Sequence, residues 1–228
     1  MRSVYIFILL LFLVSCSKDF LRYQGYRYKL IDAGSQRWMA EDLQAAKYRS
    51  GKKIPVVKDV GIWPDLNTPA CGFYNNDSSR LAKYGLVYNW KAVEGGKLCP
   101  RKWRVPSQVD WDTLETFLGG DLRAGGKMKS VSGWKGDVSG DDIGFDAKAG
   151  GYRLNMDLQE GHAVVWWSST IIRDEDLNSL VATIGRDQAA QSETWVWGRR
   201  IENYSTKLWT TANRPNNGFY IRCMRNRK

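Results

Sequence analysis

The chain opens with an unbroken apolar run, Val4 to Val14, behind the single cation Arg2. No later segment is as long or as apolar. Beyond it the apolar residues fall into short periods. Tyr28 and Leu30 lead to a turn at Asp32-Ala33-Gly34-Ser35, and Arg37-Trp38-Met39 follows, which predicts a β-hairpin within Tyr26 to Leu43. Asn67 to Ser79 is polar and turn-rich and reads as a loop. Tyr84 to Val93 is aromatic and apolar and fits a strand or a short helix equally well. Pro106 holds Val105 extended. Ser107 is placed to cap a helix, with Asp110 three residues on to complete a capping box. Trp111, Leu114 and Leu118 then line one helical face, and Gly119-Gly120 ends it. A second short helix is expected within Leu122 to Ser130. Strands are expected over Phe145 to Leu154, Val164 to Thr170, Leu180 to Gly185, Thr194 to Ile201, Leu208 to Thr211 and Phe219 to Met224. Strands at both ends with helices between them predict an α+β domain whose two termini meet in one sheet.

The opening apolar run is short for a membrane-spanning helix, which needs roughly 20 residues. It matches the apolar core of a secretory signal. It ends in Leu13-Val14-Ser15-Cys16, which resembles the bacterial lipobox, in which the cysteine is acylated and becomes the first mature residue. An ordinary secretory signal that happens to contain a cysteine is the alternative. The lipobox reading divides the chain into a signal at 1–15, a lipidated tether at 16–25 and one domain at 26–228. Cys16 is the lipid anchor, and the bilayer is the first expected partner, since several acyl chains on one residue hold a protein stably. Ser17 after the cysteine does not resemble an inner-membrane retention signal. An outer-membrane lipoprotein is therefore expected, with Asp19 a modest pointer to the cell surface.

Composition adds a charge and an aromatic bias. Apolar residues make up 43% of the 228, enough for a substantial core. Lys and Arg outnumber Asp and Glu by 34 to 24, a net charge of +10, and are dispersed along the sequence. Such a surface favours acidic or anionic partners without specifying one. No zinc-finger or RNA-binding signature accompanies the charge, so no nucleic-acid partner is expected. There are 11 tryptophans and one histidine, so a Ser–His or Cys–His pair would have to use His162.

The segments QRWMAEDL, YNND, KYGLVYNWKAV, GKLCPRKWRVPSQVDWDTL, AGGKMK, GFDAKAGGYR, WWSST and FYIRCMR occur in that order. Together they resemble the Fibrobacter succinogenes major paralogous domain, a family of exported bacterial proteins that includes many lipoproteins, over about Tyr26 to Arg225. The family brings no established activity. Its pattern is similar to the C-type-lectin-like and formylglycine-generating-enzyme-like fold, which implies two short helices, a twisted antiparallel sheet and a long loop-rich half. That fold hosts sugar binders, receptors and a few enzymes, so it leaves function open. The resemblance also pairs Cys99 with Cys223, in its CPxxW and RC segments. An exported compartment permits the bond, and a closed loop of this length implies roughly 4–5 kcal/mol of stabilisation on the chain-entropy model. Cys71 is then a free thiol, because Leu81 stands where family members carry its partner.

Each remaining constellation has a structural and a functional reading. Cys99 as a nucleophile would need a base or an electropositive niche; its proline- and tryptophan-rich surroundings favour a packed corner. Trp195 and Trp197 share one face of a strand. With Tyr204, Trp209, Asn213, Asn216 and Asn217 they form a candidate ligand-binding set, the rings for stacking on a sugar and the amides for its hydroxyls. The alternative is a framework tryptophan pair in the core. Trp166 and Trp167 point to opposite faces, so at least one is core. Asp141, Asp142, Asp146 and Asp77 could offer oxygens to calcium, but no EF-hand spacing is present and Arg214-Pro215-Asn216 puts a cation where a lectin calcium motif has an acid. Solvated turns are the alternative, and no cofactor other than calcium suggests itself. Asp110, Asp112 and Glu115 suit a helix start. The expectation is a non-catalytic surface module that binds a glycan or a protein through 174–218, with a structural envelope component, a hydrolase or a cysteine-dependent enzyme as alternatives.

Overall fold

A computed structural model describes residues 19–136, 140–154, 157–158, 162–173, 175–177 and 194–227. The leader, Cys16 and the expected strand Leu180 to Gly185 lie outside the described residues.

The N-terminal hairpin forms as its alternation predicts, with β2 (Tyr26–Ala33) antiparallel to β3 (Gln36–Met39). The sheet starts earlier than Tyr26. Phe20–Tyr23 forms β1, in register with β2 from Phe20 opposite Lys29 to Tyr23 opposite Tyr26. The last described strand, β11 (Met224–Asn226), adds to the other side of β3, giving the order β1-β2-β3-β11. The two ends of the domain thus meet in one sheet.

The segment read as a loop contains a short strand. β4 (Cys71–Phe73) pairs with β5 (Leu86–Tyr88), and its polar flanks hid three residues of pairing. After the single-turn helix α1 (Leu81–Tyr84), Tyr84 to Val93 holds both alternatives, β5 and then the single-turn helix α2 (Trp90–Val93), capped by Asn89. The capped helix is α3 (Gln108–Phe117), with the Ser107–Asp110 box present in both directions. α4 (Asp121–Met128) follows directly. Phe145 to Leu154 is strand only at β6 (Arg153–Leu154), which pairs with β7 (Asp157–Leu158). A second sheet has the order β10-β9-β8, made of β8 (Ala163–Ile171), β9 (Val196–Glu202) and β10 (Trp209–Asn213). All of this pairing is antiparallel and the helices are few, as an α+β class requires. None of the described helices is long and apolar enough to cross a membrane.

Two buried clusters form the core, and alternation decides which residue enters which. In β8, Val165 and Trp167 enter one cluster while Val164 and Trp166 enter the other. Both tryptophans are fully buried. The C-terminal stretch does the same: Phe219, Ile221 and Cys223 go to the first cluster, Tyr220 and Met224 to the second. This stretch is therefore a wall between the cores. It bridges to every neighbour in turn, with Gly218 to Arg153, Phe219 to Tyr88, Tyr220 to Trp166, and Met224 to Trp38 and Arg104. The Cys99–Cys223 disulfide closes a 124-residue separation at the same place.

Between the cores lies a buried ion pair. Arg222 Nε donates to Asp42 Oδ1 at 2.7 Å, and the indole N–H of Trp166 donates to the same oxygen at 2.7 Å. Arg222 Nη1 also donates to the carbonyls of Ala40 and Phe145, and its guanidinium lies 4.3 Å from the Phe145 ring centre. Asp42 reaches this position because Gly85 leaves room: a Cβ at Gly85 would sit 2.9 Å from that of Asp42, and its φ of +76° favours glycine independently.

Removing one partner of a buried pair strands the other charge, at a cost of about 3–5 kcal/mol. Asp42→Ala is expected to lower the unfolding free energy by that amount in denaturant melts. Asp32→Ala, which breaks a partly exposed pair with Arg37 at 2.6 Å, is expected to cost about 1 kcal/mol or less.

Candidate functional site

The β9–β10 hairpin carries most of the predicted ligand set, and its register separates the members. β9 and β10 pair Trp197 with Ala212, Arg200 with Trp209 and Val196 with Asn213. Residues opposite one another share a face, so Trp197 and Trp209 lie on opposite faces. Trp195 precedes β9 and is 6% exposed, and its carbonyl accepts from Ile172 N–H. Trp197 is half-buried.

The amides are held by the framework. Asn213 is buried, and its side chain donates to Thr211 Oγ1 at 2.9 Å and to the Thr211 carbonyl at 3.0 Å. Asn216 Nδ2 donates to the Pro64 carbonyl, while the Asn216 carbonyl accepts from the indole of Trp63. Asn217 is buried, with its N–H on the Arg214 carbonyl. These residues position the loop before the C-terminal wall.

Tyr204 and Trp209 are left accessible. Tyr204 is 73% exposed at the hairpin loop, and Trp209 is half-buried on edge strand β10. Two cations join them that were not singled out by type. Lys207 stands 4.2 Å over the Trp209 ring, and Arg200 is its cross-strand partner. The Trp209 indole nitrogen and Arg200 Nε are both shielded and lack a hydrogen-bond partner among the described residues. The patch therefore combines an aromatic ring with two cations that are also ion-paired, Arg200 with Glu202 at 2.7 Å and Lys207 with Asp121 at 3.2 Å.

α4 sets this loop in place. Gly126 N–H donates to the Thr206 carbonyl at 2.9 Å, and a Cβ at Gly125 would lie 2.4 Å from the Lys207 carbonyl oxygen. The paired glycines of AGGKMK are thus the docking surface for the hairpin loop. Lys129, just beyond α4, is buried; its Nζ donates to the Ser205 carbonyl at 2.8 Å and lies 4.7 Å over the Trp134 ring. Burial pulls its pKa down to about 8, against a smaller opposite pull from Glu202. On the far face of β9, buried Arg199 is held by Asp112 and Glu115 of α3 and by Thr210. The carboxylates at the helix start are thereby spent: Asp110 on Arg104 and Ser107, Asp112 and Glu115 on Arg199.

The thiols and acids are placed as follows. Cys99 is half of the disulfide, and Cys71 is a buried thiol whose pKa burial pushes up to about 12. His162 is exposed. Asp141 accepts from the Asp146 N–H, Asp146 pairs with Lys148 at 2.7 Å, Asp142 stands 3.9 Å from Lys127, and Asp77 caps its own turn through Ser79 N–H. Among the described residues no group of three or more His, Cys, Asp or Glu could hold a metal ion.

A second surface was not visible from sequence. Arg22 and Arg27 face each other across β1–β2. Gln24 at that hairpin tip donates to the Lys47 carbonyl at 2.7 Å, and Tyr23 Oη donates to the Leu98 carbonyl at 3.0 Å. Lys47 bridges to Lys53, Tyr48 N–H donates to the Lys52 carbonyl, and Arg49 N–H donates to the Lys97 carbonyl. Arg101 and Lys102 follow at the turn after Cys99. All of these cations are exposed.

The family model of the Fibrobacter succinogenes major domain matches residues 31–225, most of the chain. No curated protein and no solved structure matches it.

Two outcomes check the buried groups. Cys71 is expected to resist a thiol reagent in the native protein and to react once denatured, read by absorbance. For Lys129, the amine is charged in both states below pH 8 and neutral in both above the ordinary lysine value. Between them the unfolded chain holds more proton, so stability rises with pH. Lys129→Met is expected to flatten that rise between pH 8 and 10 in denaturant melts against the parent chain.

Proposed function

The chain belongs to the Fibrobacter succinogenes major domain family, and we propose that it is a non-catalytic, lipid-anchored binding module of the outer membrane. Acylation of Cys16 tethers the domain, and the fold is C-type-lectin-like, its β9–β10 hairpin presenting the ligand surface. The ligand is a glycan. The carrying observation is the cross-strand pair Arg200–Trp209, where a half-buried ring lies beside an arginine, and neither the indole N–H nor Arg200 Nε has a partner among the described residues. An indole face packs on the C–H face of a sugar, and the cationic side chains beside it can donate to its hydroxyls. Tyr204 and Lys207 extend the patch. Of the original set, Trp195, Trp197, Asn213, Asn216 and Asn217 support the hairpin rather than touch the ligand.

The state of the thiols supports a non-catalytic role. A buried thiol with its pKa near 12 is a poor nucleophile at neutral pH, and the other domain cysteines are joined. The carboxylates of α3 are committed to arginines, not poised opposite one another in a cleft.

Two measurements test the reading. Mass spectrometry of the protein from bacterial membranes is expected to find Cys16 as an acylated N-terminus; an unmodified Cys16 inside a longer chain contradicts the anchor. On a glycan array the mature chain is expected to bind a defined set of sugars, and Trp209→Ala or Tyr204→Ala to lose about tenfold or more in affinity, typical for a removed aromatic contact. No glycan binding by a cooperatively melting parent chain would sink the lectin assignment and favour a protein ligand.

A further inference from the structure

Arg22, Arg27, Lys47, Arg49, Lys52, Lys53, Lys97, Arg101 and Lys102 come from three separate stretches, yet the hydrogen bonds described above draw those stretches to one end of the domain. None of these cations makes a salt bridge among the described residues. Of the acids nearby along the chain, Asp19 pairs with Arg37 at 3.0 Å, Asp42 with Arg222 at 2.7 Å and Glu94 with Lys91 at 3.2 Å, and Asp59 accepts from the Gly61 N–H. Like charges directly opposite in a sheet destabilise it, and Arg22 opposite Arg27 is such a pair. A groove of about 260 Å³ lies at this hairpin tip, lined from Arg22 to Arg27. Phe20, exposed on the same ribbon, lies 3.6 Å beneath the Arg27 guanidinium.

We propose that this cationic end is the face the domain lays on its own bilayer, where it binds anionic lipid headgroups. The inference rests on the lipid-anchor reading of Cys16 for its geometry. Phe20 is four residue steps from Cys16 and Arg22 six, which at full extension is at most about 14 and 21 Å. The first strand of the sheet therefore cannot leave the neighbourhood of the headgroups. An unpaired basic surface held there gains roughly fivefold in affinity per cation close to the membrane, within a Debye length of its surface. Phosphates between Arg22 and Arg27 relieve their mutual repulsion, and Phe20 can enter the interface beside them. The acyl chains hold the protein, and the cationic end sets its orientation.

The test uses the mature chain, residues 16–228, with Cys16→Ser so that no acyl chain contributes; it contains every described element. Its co-sedimentation is measured with vesicles of phosphatidylcholine alone and with vesicles rich in phosphatidylglycerol. Binding to the anionic vesicles at least about tenfold tighter, and falling steeply with salt, is the expected result. Arg22→Glu/Arg27→Glu/Arg49→Glu is expected to reduce it about a hundredfold. A triple of equal charge change elsewhere, Lys58→Glu/Arg123→Glu/Lys135→Glu, is expected to leave most of it. Absence of binding, equal loss in the two triples, or binding to a soluble acidic polysaccharide in place of the vesicles would each overturn the proposal. Because this chain is unacylated, the outcome stands apart from the mass measurement that decides the anchor.

Discussion

The domain is organised around one buried charge pair, Arg222 with Asp42, and the C-terminal stretch that carries it. A guanidinium that is almost fully buried has to be paired and hydrogen-bonded, and this one finds a carboxylate, two carbonyls and two aromatic rings. Asp42 is supplied by the loop after β3, Phe145 by the loop after α4, and Trp166 by β8. These elements are far apart in sequence, and the pair specifies how they meet. The disulfide one residue later fixes the same stretch covalently to the corner before α3. A dense set of backbone bridges from Gly218 to Met224 then divides the interior into two cores.

Most of the acidic side chains that drew attention in the sequence are likewise committed to structural pairs. Asp110, Asp112 and Glu115 lie on α3, and each is paired with an arginine, Asp110 with the nearby Arg104 and the other two with Arg199 of β9. Arg153, by contrast, is fully buried without a carboxylate among its described contacts; it relies on the Val57 carbonyl, Asn76 and the Trp63 ring, and burial lowers its pKa to about 10. With these groups committed to the interior, two surface regions keep unspent capacity. One is the Arg200–Trp209 patch with its loop, held by the glycines of α4. The other is the cationic end beside the N-terminal strand. The proposed role as a tethered binding module would use one surface for orientation and one for a ligand.

How far the sequence could be read depended on the range of the interaction. The capping box at Ser107 and the hairpin turn at Gly34 are local, so both were legible, and α3 ends near the Gly119-Gly120 pair. The Cys99–Cys223 pairing was legible only through family resemblance. Alternation correctly separated Trp166 from Trp167, but periodicity cannot tell which face is covered, and here both are. For the same reason Trp195 and Trp197 looked like a platform, although Trp195 is buried and Trp197 half-buried. β1 was read as tether because it is only four residues long, and its alternation of exposed Phe20 and Arg22 with half-buried Leu21 and Tyr23 is too short to stand out. The cationic end was illegible for a related reason. Its residues are spread from Arg22 to Lys102, and only the hairpin and the Gln24, Tyr23 and Arg49 hydrogen bonds collect them.

In the proposed arrangement the lipid-tethered domain rests on its cationic end and leaves the β9–β10 loop open to ligand. Hydrogen–deuterium exchange tests it directly, with the acylated chain compared between phosphatidylglycerol-rich vesicles and detergent micelles. The account predicts protection gained on the vesicles at 22–27, 47–53 and 97–102, with 203–208 unchanged. Protection gained at 203–208 instead, with the three cationic segments exchanging as they do in micelles, would contradict it.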